Sequence, residues 1–155
     1  MQNRMKEHQL KEGQIKGILE KALVGSLSTI NEEGYPYVVP VHFVYHDSKI
    51  YIHGLPKGQK ISNILANEKV GFQVCEMKGL ILNEAPCDVN TEYESVVILG
   101  KAKMIDDHKV KKNVLNMVVE KYTPQIAGAK LLDNMVRGTA IIEITIQECT
   151  GKYYK

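Results

Sequence analysis

Residues 35–60 read YPYVVPVHFVYHDSKIYIHGLPKGQK, and this stretch decides the fold. From residue 37 to residue 46 the side chains alternate between two faces, as they do along a β-strand. A tight turn at residues 46–49 and a second apolar run at 50–54 predict an antiparallel pair of strands. The face that we expect to line a barrel interior consists of Tyr37, Val39, Val41, Phe43 and Tyr45.

A turn rich in glycine and lysine, GLPKGQK, follows the second strand at residues 54–60, and residues 58–66 predict a short helix. Binding of a phosphate needs backbone N–H groups, the positive end of a helix dipole and a cation. Gly58 permits close backbone approach, while Lys57 and Lys60 supply the charge. The same lysines also fit an ordinary solvated turn, so the residues alone leave both interpretations open.

Pro40 interrupts an otherwise regular strand pattern. Proline has no N–H to donate to a neighbouring strand, so it belongs at a sheet edge or a bulge. Such an edge leaves backbone groups free, and a planar ring could lie against residues 39–42 with a phosphate tail at Lys60. The alternative is that Pro40 merely protects a sheet edge from association.

The rest of the chain predicts four further strands, at residues 26–30, 69–76, 93–105 and 140–147. Residues 77–91 are predicted as a long irregular loop, and Asp106 as the N-cap of a helix that runs to about Tyr122. An apolar stripe predicts another helix before the first strand: Ile15, Ile18, Leu19, Ala22 and Leu23. The prediction is therefore a mainly β, α+β fold of six antiparallel strands that close into a barrel, with peripheral helices.

Length and charge limit the function. A chain of 155 residues predicts one domain over residues 1–155, with residues 1–10 as a flexible N-terminal tail. The net charge is +2 with mixed signs, which argues against a nucleic-acid or membrane-surface protein. The apolar runs are too short to span a membrane, and the polar start shows no secretory signal, so a cytoplasmic location is expected.

The histidines and cysteines do not predict a metal site. His42 and His46 lie four residues apart, which is about 13 Å on a strand, too far to share one ion. Cys75, Cys87 and Cys149 are odd in number and widely spaced, without a zinc pattern.

Three segments in order carry a family resemblance: VVPVHFVYHDSKIYIHG, then KGQK, then YESVVILGKAKMIDD. Together they resemble the FMN-binding split β-barrels of the pyridoxamine 5′-phosphate oxidase-like superfamily, over roughly residues 15–152. The branch that they resemble most is that of the 5-nitroimidazole-resistance (Nim) and flavin-nucleotide-binding proteins. No single segment is specific, but the ordered set is, and it implies a six-stranded antiparallel split β-barrel.

The resemblance also implies a site built from two chains, and hence a homodimer that holds its cofactor at the interface. Lys60 is expected to bind the FMN phosphate, with Lys57 in support, and Gln59 stands where the oxidases carry an arginine. Ser95 stands where the oxidases have a glutamine that reaches the flavin from the other chain. Residues at the isoalloxazine or ribityl chain are expected to be Val38, Val39, Pro40, Val41, His42, Phe43, His53 and Gly54.

The function implied is an FMN-dependent reductase of small oxidants such as nitroaromatics, with His53 as the catalytic residue on the substrate side. A non-enzymatic module for FMN binding, storage or sensing stays open, because cofactor binding and turnover share the same residues. FAD, deazaflavin or haem binding within this fold also stays open. Pyridoxamine 5′-phosphate oxidase itself is disfavoured, because the arginine-rich segment that grips the substrate phosphate is not found in the last residues, TGKYYK.

Overall fold

The computed structural model describes residues 6–155, whose strands form one antiparallel sheet. The strand order is β2-β1-β5-β6-β7-β4-β3, so β4 joins the sheet through β7 and carries β3 at the edge. Seven strands replace the six predicted, because the predicted strand over residues 37–46 divides in two. Their bounds are β1 Gly25–Ile30, β2 Pro36–Val41, β3 Val44–His46, β4 Lys49–Gly54, β5 Lys69–Ile81, β6 Asn90–Met104 and β7 Ala140–Tyr154.

The division falls at His42–Phe43, and it sends β2 and β3 to opposite ends of the sheet. Phe43 donates its N–H to the hydroxyl oxygen of Tyr122 at 2.8 Å, and that hydroxyl also lies 2.8 Å from the Phe43 carbonyl. A side chain therefore replaces the neighbouring strand as the backbone partner. Within residues 6–155 no ladder joins β2 to β3, so the fold is a split barrel, α+β in class.

The region predicted as an irregular loop over residues 77–91 is largely a β-hairpin arm. β5 continues to Ile81 and β6 begins at Asn90, with one register shift between Met77 and Gly79. The prediction was wrong because both faces of the arm are solvated, so the residues show no alternation of apolar and polar side chains. Met77 and Leu82 are 60% and 79% exposed.

Four helices lie around the described sheet: α1 Glu12–Lys21, α2 Gln59–Ala66, α3 His108–Tyr122 and α4 Asp133–Gly138. Short 3₁₀ turns occur at Pro86–Asp88 and Pro124–Ile126. The N-cap of α3 is Asp107 rather than the predicted Asp106, since its carboxylate accepts the N–H of Val110 at 2.9 Å. None of the helices in residues 6–155 has the length and apolar character needed to cross a bilayer.

Residues 1–5 of the predicted tail lie outside the described residues, whereas residues 8–10 run along β7. The His8 carbonyl accepts the N–H of Tyr153, and Leu10 donates its N–H to Gly151, both at 3.0 Å. A Cβ at Gly151 would lie 2.6 Å from the Ile15 side chain, so this contact requires glycine. The barrel interior is filled by apolar side chains, the largest being Phe43, Phe72, Leu19, Leu27, Ile50, Ile52, Ile98, Ile142 and Ile144.

Candidate functional site

The turn from β4 into α2 brings a lysine ammonium over a glycine at the positive end of a helix. A Cβ at Gly54 would lie 3.5 Å from Lys60 Nζ, so the ammonium sits directly above this residue. Gly58 precedes the helix with φ +128°, a conformation that favours glycine, and nothing lies within 4 Å of a Cβ there. The first N–H groups of a helix have no intrahelical acceptor. Open space, free donors and a cation therefore meet at one point, which suits an anion.

A buried polar network fixes this turn against the sheet. Asn63, 1% exposed, accepts from the Gln59 amide at 2.7 Å and donates to the Thr29 hydroxyl at 2.9 Å. The Thr29 hydroxyl in turn donates to the Tyr37 carbonyl at 3.4 Å. These contacts tie α2 to β1 and β2, so the helix end is held rigidly beside the edge strand. The Gln59 amide serves this network.

His53 is the half-buried titratable group of the site. It lies opposite Ile141 in the β4–β7 ladder, and its buried Nδ1 has no hydrogen-bond partner among residues 6–155. Its pKa is lowered from 6.5 by burial, and further by the charges of His42 and Lys60. His53 is thus a neutral imidazole near pH 7, with one ring nitrogen left for a ligand, since buried polar atoms are rarely unpaired.

His42 stands at the break between β2 and β3, and its side chain is exposed. Its ring stacks on Tyr122 with a centroid distance of 4.5 Å and an interplanar angle of 20°. The Tyr122 hydroxyl lies 2.8 Å from the carbonyls of Phe43 and Leu23. A residue of α3 therefore supports the imidazole that faces the site.

The edge strand β2 forms the wall beside these groups. It pairs with β1, and its other edge carries no strand among the described residues. Val38 is 58% exposed and Pro40 is exposed, whereas Val39 and Val41 are partly buried and pack against the core. Proline fits an open edge because it has no N–H to leave unpaired. The wall is therefore apolar, with free backbone groups along its rim.

The structure brings His42, His53, Gly54 and Lys60 together, and Lys57 is exposed in the same turn. Phe43 does not line the wall: it is fully buried against Phe72, and Tyr122 occupies both of its backbone groups. It supports the site from the core side instead.

Ser95 lies far from this cluster within the chain. It pairs with Lys152, while Gly54 pairs with Ala140, twelve residues earlier on β7. At ~3.3 Å per residue this is about 40 Å along the strand. A cavity of about 860 Å³ is lined by α1, Leu23, Cys75 and Glu94, the residue before Ser95.

Sequence reasoning missed three residues that shape the site: Asn63, Lys121 and Tyr122. Lys121 Nζ lies 4.1 Å from the Phe43 ring centroid and donates to the Leu19 carbonyl at 3.4 Å. Burial lowers the pKa of Lys121 to about 8. The Tyr122–Phe43 contact spans 79 residues, so no local pattern could have revealed it.

Comparison with solved structures gives several matches over nearly the whole chain. A protein from Bacteroides thetaiotaomicron, provisionally described as a 5-nitroimidazole antibiotic resistance protein, is 27% identical with TM-score 0.81, covering 93% of this chain and 85% of that one. A flavocytochrome from Azotobacter vinelandii is 20% identical with TM-score 0.87, covering 100% and 72%. An FAD- and haem-binding protein from Mycobacterium smegmatis is 14% identical with TM-score 0.87, covering 96% and 74%. The last two likenesses concern the fold alone.

A search of curated proteins finds no significant sequence match. The family model for pyridoxamine 5′-phosphate oxidase, in contrast, matches residues 11–153. That range contains the edge strand, the lysine turn, α2 and all of β5 and β6. The chain therefore belongs to the pyridoxamine 5′-phosphate oxidase family.

Proposed function

We propose that this protein binds FMN at the turn between β4 and α2 and uses it to reduce small oxidants such as nitroaromatics. The observation that carries the proposal is the ammonium of Lys60 above Gly54, at a helix start that Gly58 keeps open. FMN has one phosphate for the cation and helix end, and an apolar planar ring for the β2 wall. The family match and the flavin-binding neighbours support a flavin at this site.

The site residues fit FMN chemically. The buried Nδ1 of His53 needs a hydrogen-bond partner, and a flavin or its substrate carries polar groups that can serve. Gln59 is neutral and engaged with Asn63, so Lys60 is the principal charge for a phosphate, with Lys57 in support. When bound, the flavin supplies the electron transfer, and the protein positions it and excludes side reactions.

We further propose that two copies of the chain complete the site. The ladder partners of Ser95 and Gly54 are separated by about 40 Å along β7, which supports a site that takes Ser95 from a second chain. Ser95, Val97 and Leu99 follow one another on the outer face of β6, where Val97 and Leu99 are 43% and 51% exposed. Exposed apolar side chains in such a row are typical of an interface between copies.

His53 is the chain's own contribution to reduction. As a neutral imidazole it can donate one hydrogen bond and accept another. It can also relay a proton from solvent to an oxidant that gains electrons, by accepting a proton at one nitrogen and releasing one from the other. The cavity near Ser95 has the volume of a small-molecule site, about 860 Å³. A cavity of this volume suits a compact aromatic oxidant.

The test uses the full chain as purified. Absorbance and chromatography of the released cofactor separate FMN from FAD, deazaflavin and haem, and light scattering gives the number of chains. We expect one FMN per chain in a dimer, reduced protein that is reoxidised by a nitroimidazole under anaerobic conditions, and no turnover of pyridoxamine 5′-phosphate. A colourless monomer that does not quench FMN fluorescence overturns the proposal. Stoichiometric FMN without reoxidation would leave a binding module.

A further inference from the structure

Tyr122 makes an unusual set of contacts for the last residue of a helix. Its hydroxyl oxygen lies 2.8 Å from three backbone groups: the N–H of Phe43, the carbonyl of Phe43 and the carbonyl of Leu23. Its ring stacks flat on His42. Together these contacts fix the ring and, through it, the imidazole beside the site.

His42 is relevant to the site because it lies beside His53. In the β3–β4 ladder Val44 lies opposite Tyr51, and the same register continued by two residues places His42 opposite His53. Lys60 from α2 lies over Gly54, the residue after His53, and both His42 and Lys60 are cationic when protonated. From α3, the Lys121 ammonium lies 5.6 Å from the Tyr122 ring centroid, and it is not among the groups that shift the pKa of His53. None of the groups that shift the titration of His53 is a carboxylate. A proton on His53 is therefore opposed by burial and by charge.

We propose that Tyr122 is a positioning residue: the contacts of its hydroxyl and its flat stacking hold the His42 imidazole opposite His53, whose buried Nδ1 has no partner among the described residues and is left for a ligand. The two ends of the site then bind different parts of a ligand. Lys60 and the helix end bind an anionic group, and His53 binds an uncharged polar group with one donor and one acceptor nitrogen. The ligand class is a molecule with a phosphate at one end and a neutral polar ring at the other. This division rests on the proposed function, but the positioning role does not.

The test is an NMR titration of the histidine ring nitrogens in the full chain. In wild type we expect His53 to titrate below 6.5. His42→Gln should raise its midpoint by about 0.5 pH unit, the effect of one removed charge at close range in a partly solvated site. Tyr122→Leu should give the same rise, because His42 loses its support, and Tyr122→Phe a smaller one. His46→Gln is the matched control, since His46 is exposed on the same segment and faces Asp47 at 3.4 Å.

The outcomes separate cleanly. An unchanged His53 midpoint in His42→Gln overturns the pairing of the two imidazoles. A shift in His42→Gln with none in either Tyr122 variant overturns the positioning role. If circular dichroism shows that Tyr122→Leu does not fold, the positioning role is tested with Tyr122→Phe alone. Because the titration needs no turnover, its failure is distinct from failure of the reductase proposal, which is read from nitroaromatic reoxidation at each pH.

Discussion

Two side chains of β4, Tyr51 and His53, lie two residues apart and point to the same face, yet their surroundings differ. Tyr51 donates its hydroxyl to Glu143 at 3.1 Å. Glu143, 5% exposed, also pairs with Lys49 and Lys103 at 3.1 and 3.2 Å. His53 has a buried nitrogen with no partner in the described chain.

The pKa shifts express the same difference. Burial raises the pKa of Tyr51 to about 12, and Glu143 adds to this effect. Burial also opposes the charge on Glu143, but hydrogen bonds from Lys49, Lys103 and Tyr51 overcome it and lower the pKa of that carboxyl. For His53, no hydrogen bond or opposite charge offsets the effect of burial on the pKa. A polar group whose partners all come from the chain stabilises the fold, whereas one left without a partner points to a ligand.

The largest expected effect comes from removing His53. His53→Ala should keep most FMN affinity, because Lys60 and the backbone still hold the cofactor. It should slow reoxidation of the reduced protein by a nitroaromatic about 10²–10⁴-fold, the range for lost acid–base catalysis. Stopped-flow reoxidation normalised to bound flavin measures this. Equal rates in variant and wild type would contradict a catalytic role and favour a binding module.

The Tyr51 cluster should respond in the opposite way. Glu143→Ala leaves the Tyr51 hydroxyl and two lysines without their acceptor, and should reduce the free energy of unfolding by about 2–3 kcal/mol. FMN affinity per folded protein should not change. Urea denaturation measures the loss, and Glu148→Ala, an exposed glutamate on the same strand, should change stability by less than about 0.5 kcal/mol. An equal loss of unfolding free energy in both variants would show that the contacts of Glu143 do not stabilise the fold.

Lys60→Ala tests the anion end of the site. Loss of a charge-assisted hydrogen bond should weaken FMN binding by about 1.5–3 kcal/mol while the fold stays intact. Lys57→Ala is the matched control, and should weaken binding less because Lys57 is exposed in the turn. Fluorescence titration with FMN gives both affinities. Wild-type affinity in Lys60→Ala would mean that the phosphate binds elsewhere.

The smallest effect concerns alkaline stability. Because the pKa of Tyr51 is about 12 in the folded state and near 10 when unfolded, the folded chain holds this proton longer. Its contribution to stability is complete below pH 10 and is lost as the pH rises from 10 to 12. Urea midpoints of wild type and Tyr51→Phe should therefore converge over this range. A constant difference between them would contradict the raised pKa.

The lysine turn could be predicted from the sequence because its determinants are local. Gly54, Gly58 and Lys60 lie within seven residues, and a helix start with a cation beside it needs nothing from distant parts of the chain. The edge position of β2 could also be predicted from the sequence, because Pro40 has no N–H to donate to a neighbouring strand.

The break at His42–Phe43 could not be predicted. The alternation continues through it, and the partner that satisfies Phe43 is the hydroxyl of Tyr122, 79 residues away. The family resemblance placed Phe43 at the cofactor, whereas its side chain packs inside against Phe72, on the interior face that the alternation predicted. The unpaired nitrogen of His53 is likewise a property of the assembled sheet. The sequence pattern therefore predicts the residues of the lysine turn, but not the long-range contacts that orient Phe43 and His53.

The attachment of β4 has a consequence for the order of folding. The β3–β4 hairpin joins the sheet only by pairing with β7, and the Tyr51–Glu143 hydrogen bond closes a loop of 92 residues. Contacts so distant along the chain make folding slow, because the entropy of closing the loop precedes any gain from pairing. During synthesis the residues of the lysine turn leave the ribosome long before those of β7. The β3–β4 hairpin therefore takes its place in the sheet only after β7 has left the ribosome.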